Sequence, residues 1–300
     1  MNTENNTESN EIFEILFYLF SKKWFFVKLG FFFAIFFSII ALLLPKEWES
    51  DAILVNVDSG TAPSQSGASA IGGLAQLAGI NLNTATAGRL NMSLYTILSR
   101  DFFRHLITFD NVKRDLIAIK GFNETTSEPI YDSSKYDIKE NKWVDEPTFF
   151  KSFEVYRDSV SAAFLDDKSQ QFLVVRVKHS SPIFAKDLVD LIVQEINEKQ
   201  RGNDIKEADA SLEYLQQQLI ETEQINIKTS ISSLIENQIK TKMFANVRTY
   251  YVIKPIDNSY IPELRSSPQR TRFVLTFTFI SLLLSAILLL VRFQYKKLNT

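Results

Sequence analysis

A chain of 300 residues with 33 basic and 35 acidic side chains carries a formal charge of −2 and no cysteine. Disulfides and thiolate metal sites are therefore excluded, and the absence of thiols is compatible with an oxidising compartment. The length allows one or two domains, and the apolar residues are unevenly placed along it.

Residues 1–10 are polar and asparagine-rich, a composition that predicts disorder. Glu11–Phe20 reads as a short helix, with Glu11 and Glu14 at its positive end and Lys22 and Lys23 at its negative end. Its aromatics, followed by Trp24, suit a membrane interface. Phe25–Leu44 is almost purely apolar, and crossing a hydrocarbon core of about 30 Å takes about 20 residues. Its one charge, Lys28, lies a turn from the start, where it can snorkel to the headgroups. Leu43-Leu44-Pro45 lacks the small residues of a signal cleavage site. Lys22, Lys23 and Lys28 at the start, against Lys46 alone beyond, predict a cytoplasmic N-terminus.

Past this span, residues 52–57 alternate as a strand, with Ile53, Val55 and Val57 on one face. Gly60–Gly88 holds six of the nine glycines. Within it, Ile71–Ile80 is too apolar for a free linker, which predicts a small packed helix or ordered loop. No glycine-rich run ends in the Gly-Lys-Ser/Thr of a phosphate-binding loop. Asn91 to about Phe109 is predicted helical, with Leu94, Ile97, Leu98, Phe102 and Leu106 on its apolar side. Residues 120–147 are polar, with Pro129 and Pro147 as breaks. Thr148 begins a second amphipathic helix whose apolar face runs Phe149, Phe153, Tyr156, Val160, Phe164. After a turn at Asp166–Ser169, Phe172–Lys178 alternates as a strand.

Ser180 and Ser181 before Pro182 form a helix start. From Pro182 to about Arg248 there is no further proline, and Gly202 is the single glycine. Ile205, Ala208, Leu212, Leu215 and Leu219 make one narrow apolar seam, and Ile231, Leu234, Ile235, Ile239 and Met243 a second. Between them, residues 222–230 break the pattern and offer Thr229 or Ser230 as a new cap. One continuous helix would measure about 100 Å, so the sequence favours a helix folding back near 223–230, projecting from the body and needing partners. Glu207, Asp209, Glu213 and Glu221 read as a solvated face. Residues 250–256 return as a strand, with Pro255 at a sheet edge or strand end.

Phe273–Val291 is a second apolar run without a charge, flanked by Arg265, Arg270 and Arg272 before and Arg292, Lys296 and Lys297 after. With two spans, the C-terminus is expected in the cytoplasm. The expected division is 1–23 cytoplasmic tail with interfacial helix, 24–44 first span, 45–272 external domain with long helices over 182–248, 273–291 second span and 292–300 cytoplasmic tail. The charge splits as −1 for 1–44, −4 for 45–272 and +3 for 273–300. An acidic middle without a basic run argues against nucleic acid. The expected fold is an α+β domain with a small membrane-proximal sheet and a long projecting helical region, anchored by two transmembrane helices.

No catalytic constellation is visible. His105 and His179 are the two histidines, and no nucleophile elbow, His-Glu-x-x-His pair or nucleotide loop occurs. Neither an enzyme nor a cofactor or metal site is expected.

The lead-in to the second span reads Tyr-Tyr-Val-Ile-Lys-Pro-Ile-Asp over 250–257, Tyr-Ile-Pro-Glu over 260–263 and Arg-Ser-Ser-Pro-Gln-Arg over 265–270. With Gly-Gly-Leu-Ala-Gln-Leu-Ala-Gly at 72–79, Ser-Ser-Pro-Ile-Phe-Ala at 180–185, Ile196-Asn197, Tyr-Leu-Gln-Gln-Gln at 214–218, Leu-Ile-Glu-Asn-Gln at 234–238 and Lys-Met-Phe-Ala-Asn-Val at 242–247, it resembles the polysaccharide chain-length determinants, the Wzz-type co-polymerases. Pro255, Pro262 and Pro268 fall where that family carries its juxtamembrane prolines. Asn258-Ser259-Tyr260 departs from its Pro-Ala pattern. The resemblance implies the kinase-free type: an inner-membrane protein whose periplasmic domains form a homo-oligomeric ring, working with a membrane-embedded polymerase on a lipid-linked glycan such as O-antigen, without catalysis. Pro255, Pro262, Pro268, Leu212, Leu215 and Leu219 are the expected structural or interaction residues, and Phe25, Leu44, Phe273 and Val291 the span boundaries. The alternatives are a periplasmic adaptor or structural subunit of an export system, and a periplasmic sensor, which would need a cytoplasmic output domain.

Overall fold

The computed structural model describes residues 22–57 and 82–298. The predicted helix at 11–20 and the Ile71–Ile80 stretch lie outside these residues. Two units are present, one formed by the chain ends up to Lys46 and from Arg265, the other by Glu47–Leu264.

The first unit contains helices α1 (Lys23–Leu43) and α8 (Arg270–Leu298). They run antiparallel: a Cβ on Gly30 would stand 3.4 Å from Leu282, and the rings of Phe37 and Phe277 lie 5.5 Å apart. Small residues let helices approach closely in lipid. The most apolar windows of α1 and α8 have mean hydropathies of 2.5 and 2.7, with 6% and 0% of their residues buried. A soluble protein's core helix would be covered, so these two helices match membrane spans by length, composition and exposure. α1 begins two residues before the predicted Phe25 boundary, and Leu44 is its C-cap. α8 continues past Val291 as helix.

The second unit is a mixed α/β body. Its sheet has four antiparallel strands, β1 (Trp48–Asn56), β6 (Val160–Phe164), β7 (Leu173–His179) and β8 (Ile253–Asp257), in the order β6-β7-β1-β8. Leu54 pairs with Leu173 on one side and Pro255 on the other. β8 is an edge strand, which accommodates Pro255 because a proline cannot donate to a ladder.

Helix α6 (Pro182–Glu221) starts as predicted, with the Ser181 hydroxyl accepting from Phe184 N and Pro182 in the first turn. Its first four turns bury Leu188, Val189, Ile192, Val193 and Ile196 against β1, β7 and β8. α2 (Leu82–Ile97), α3 (Arg100–Leu106), α4 (Val112–Ala118) and α5 (Phe149–Ser159) complete the core. Phe103 and Tyr156 are fully buried with ring centres 4.8 Å apart, and the Tyr156 hydroxyl donates to the Ile97 carbonyl at 2.8 Å.

Three expectations need correction. The helix predicted over 91–109 is two helices, because the Ser99 hydroxyl caps a fresh start by accepting from Phe102 N at 3.1 Å. The helix after Thr148 ends at Ser159, so Val160 and Phe164 belong to strand β6, which pairs with β7. Residues 120–147 hold two short hairpins, β2 (Ile119–Asn123) with β3 (Glu128–Tyr131) and β4 (Tyr136–Asp137) with β5 (Lys142–Trp143). Arg114 lies 5.3 Å from the Tyr131 ring and 5.8 Å from that of Tyr136, tying both hairpins to α4.

Candidate functional site

After Asn197, α6 carries one more fully buried residue, Ala208, and its length beyond the sheet is covered by helix α7 (Ile225–Val247). The fold-back is present at residues 222–224. It uses neither Thr229 nor Ser230 as a cap: both hydroxyls donate to backbone carbonyls one turn earlier, those of Ile225 and Asn226. Thr222 and Gln224 instead take extended backbone, ending one helix and starting the next.

The two helices meet through their inner faces. On α6 these are Ile205, Ala208, Leu212, Leu215 and Leu219, all buried or half-buried. On α7 they are Ile231, Ile235, Gln238, Lys242 and Ala245, and Lys242 pairs with Asp209. The second seam thus divides: Ile231 and Ile235 face inward, while Leu234, Ile239 and Met243 are exposed, the last two at 54% and 48%. Residues 239, 243 and 247 share one side of α7, and Val247 is exposed as well. They leave an exposed apolar stripe on a helix already packed on its other side.

The hairpin's return is held by three polar residues of α6 on one face, four and three residues apart. Asn197, buried, accepts through Oδ1 from Tyr251 N, Val252 N and Ile253 N at 3.0, 2.8 and 3.1 Å, and donates through Nδ2 to the carbonyls of Val193 and Ile253. Arg201 donates from Nη1 to the Ala245 carbonyl and from Nη2 to those of Arg248 and Thr249. These carbonyls lie at and just past the end of α7, where a cation is favoured by the helix dipole. Asp204 Oδ2 accepts from the Tyr251 hydroxyl at 2.6 Å. Burial and this contact push the Tyr251 phenol well above its usual range. Arg201 and Asp204 belong to none of the motifs or seams visible in the sequence, and Tyr251 stands there only within the lead-in motif over 250–257. For Arg201 and Asp204 the signal is polar side chains at helical spacing from Asn197, continuing an apolar face.

The prolines do not converge on a pocket. Pro255 lies on β8, Pro262 is buried, and Pro268 is half-buried. Near Pro262, the Ser50 hydroxyl donates to the Tyr260 carbonyl at 2.8 Å, fastening the lead-in to β1. Residues 258–269 form no helix.

Both histidines have structural partners. His105 Nε2 lies 2.7 Å from Oε2 of buried Glu195. His179 accepts from Ser181 N through Nδ1, and its Nε2 lies 3.3 Å from the Leu116 carbonyl, so it locks β7 to the α6 cap. Burial lowers its pKa from 6.5 to about 4. Among the described residues no group of three or more His, Asp or Glu stands close enough to hold a metal ion.

No family model matches the chain, and no curated protein matches it in sequence. Solved structures do. A full-length bacterial polysaccharide co-polymerase is similar over 95% of this chain and 98% of its own, at 12% identity and a TM-score of 0.40. A fragment of WzzB, a polysaccharide co-polymerase from Salmonella Typhimurium, is similar over 74% of this chain and 100% of its own, at 12% identity and a TM-score of 0.32. The chain resembles the polysaccharide co-polymerases. The functional reading rests on this chain's own residues.

Proposed function

We propose that this protein is a non-enzymatic regulator of the chain length of a surface polysaccharide, O-antigen or a related lipid-linked glycan, acting in the inner membrane with a polymerase. In this reading both termini are cytoplasmic and residues 45–272 are periplasmic, following the basic residues around α1. The protein assembles with copies of itself into a ring, and the exposed stripe Ile239–Met243–Val247 lies at the contact between copies.

The observation that carries the reading is the helical hairpin α6–α7. It is satisfied along its inner face within one chain yet leaves an apolar outer face bare, on a body whose chain continues into an apolar helix at each end. Such a surface serves assembly, and closed symmetric rings are its soluble outcome. The prolines at 262 and 268 stiffen the lead-in to the second span, which sets where the ring meets a membrane-embedded polymerase. Deleting the gene tests this: surface polysaccharide should persist with its clustered length replaced by a broad, mostly shorter distribution. Complete loss of polymer would reject the reading.

A further inference from the structure

A cleft of about 630 Å³ opens between the first half of α6 and residues 249–259. One wall is a polar stripe of α6, Lys186, Asp190, Gln194 and Glu198, each four residues from the next and so on one side of the helix. The other includes Tyr250, Asn258 and Ser259. The volume lies within the range of about 300–1,000 Å³ typical of small-ligand clefts.

The cleft is fixed in shape by its own bonds. Asp190 accepts from Lys186 at 2.7 Å on its own wall and from the Ser259 hydroxyl across the gap. Asn197, at the floor, spends its amide on the backbone of 251–253 and so holds the walls together. What is left facing the opening is a different set. The side chains of Gln194, Tyr250 and Asn258 make no hydrogen bond among the described residues, and Tyr250 is 41% exposed.

We propose that this cleft binds a short neutral saccharide; the proposal rests on the reading of the protein as a polysaccharide regulator and gives the glycan a place on it. A sugar presents hydroxyls that both donate and accept, and an apolar face of C–H groups. The amides of Gln194 and Asn258 can donate and accept in turn, and an exposed phenol ring supplies a flat apolar surface with a polar tip. One ammonium and two carboxylates give these walls a formal charge of −1, which disfavours uronic acids, phosphates and nucleotides. The carboxylates of Asp190 and Glu198 offer further acceptors one turn to either side of Gln194.

The test uses the full chain in lipid nanodiscs with maltotriose, chitotriose and trigalacturonate as probes, read by saturation-transfer NMR. At least one neutral trisaccharide should receive saturation from the protein, and trigalacturonate should not. Gln194→Ala and Tyr250→Ala, both surface changes, should each weaken that binding roughly fivefold, the loss of one neutral contact, with an unchanged melting temperature. No transfer to either neutral probe, equal binding by both variants, or equal binding of trigalacturonate would overturn the proposal. Normal length control by a chain that binds neither neutral probe would overturn the cleft and leave the proposed function standing. Saccharide binding by a chain whose deletion leaves glycan length unchanged would support the cleft and reject that function.

Discussion

Arg201 donates from Nη1 to the carbonyl oxygen of Ala245 at 2.9 Å, joining the point where α6 leaves the sheet to the point where α7 returns to it. The same guanidinium reaches the Arg248 and Thr249 carbonyls, so one side chain closes the end of a helix that has no glycine cap. Removing it should loosen the hairpin as a unit. Arg201→Ala is expected to cost about 2–3 kcal/mol through lost charged hydrogen bonds, a fall in melting temperature of about 4–12 °C for a body of this size. Arg201→Lys should recover part of this, because lysine supplies the charge but not the fork. Melts of the two variants in the same lipid check both numbers.

His179 gives the body a defined acid sensitivity. Its burial lowers the folded pKa from 6.5 to about 4, so the unfolded chain binds more protons between those values. The stabilisation is complete above about pH 6.5 and is lost as the pH falls toward 4, about 3 kcal/mol in all. Melting temperature measured from pH 7.5 to 4.5 should fall along this window in the wild type, and His179→Gln, though less stable at pH 7.5, should flatten that part of the slope.

The inner and outer faces of the hairpin should respond differently to charge. Leu215→Glu places a carboxylate against α7 and should destabilise the fold by about 2 kcal/mol or more. Ile239→Glu with Met243→Glu changes only exposed positions and should leave the melt within about 0.5 kcal/mol of wild type. The outer pair should nevertheless lower the mass of the assembly in nanodiscs, measured by mass photometry. An outer double variant that assembles normally would remove the stripe from the contact.

The prolines of the lead-in make a separate case. Pro262→Ala with Pro268→Ala frees two fixed φ angles without touching the sheet, so expression and membrane insertion should be normal. Glycan length should shift. An unchanged distribution in a well-expressed double variant would reject a role for lead-in stiffness.

What was legible in the sequence was what single residues or long periodicities decide. Ser181-Pro182 announced the start of α6, the apolar runs announced α1 and α8, and Pro255 announced the sheet edge. The strand β6 was hidden because Val160 and Phe164 continue the helical spacing of Phe153 and Tyr156, and its pairing with β7 overrides that local pattern. The hairpins of 119–143 were hidden because their strands are short and polar, and part of their support is a cation–ring contact from Arg114 on the preceding helix α4 that no strand periodicity records. The division of the second seam depended on which way α7 turns after the fold-back. That is set by Asn197, Arg201 and Asp204 gripping the far end, a relation across more than forty residues that no local window contains.

The most direct measurement of the central claim is the repeat-number distribution of the surface polysaccharide, resolved on a gel, in a deletion strain restored with either the wild-type chain or the Ile239→Glu/Met243→Glu variant. Polymer is expected in every strain, with a clustered length in the wild type and a broad, mostly shorter distribution in the folded but assembly-defective variant. Absence of polymer in the deletion strain, or full recovery of the clustered length by a variant shown not to assemble, would contradict that claim.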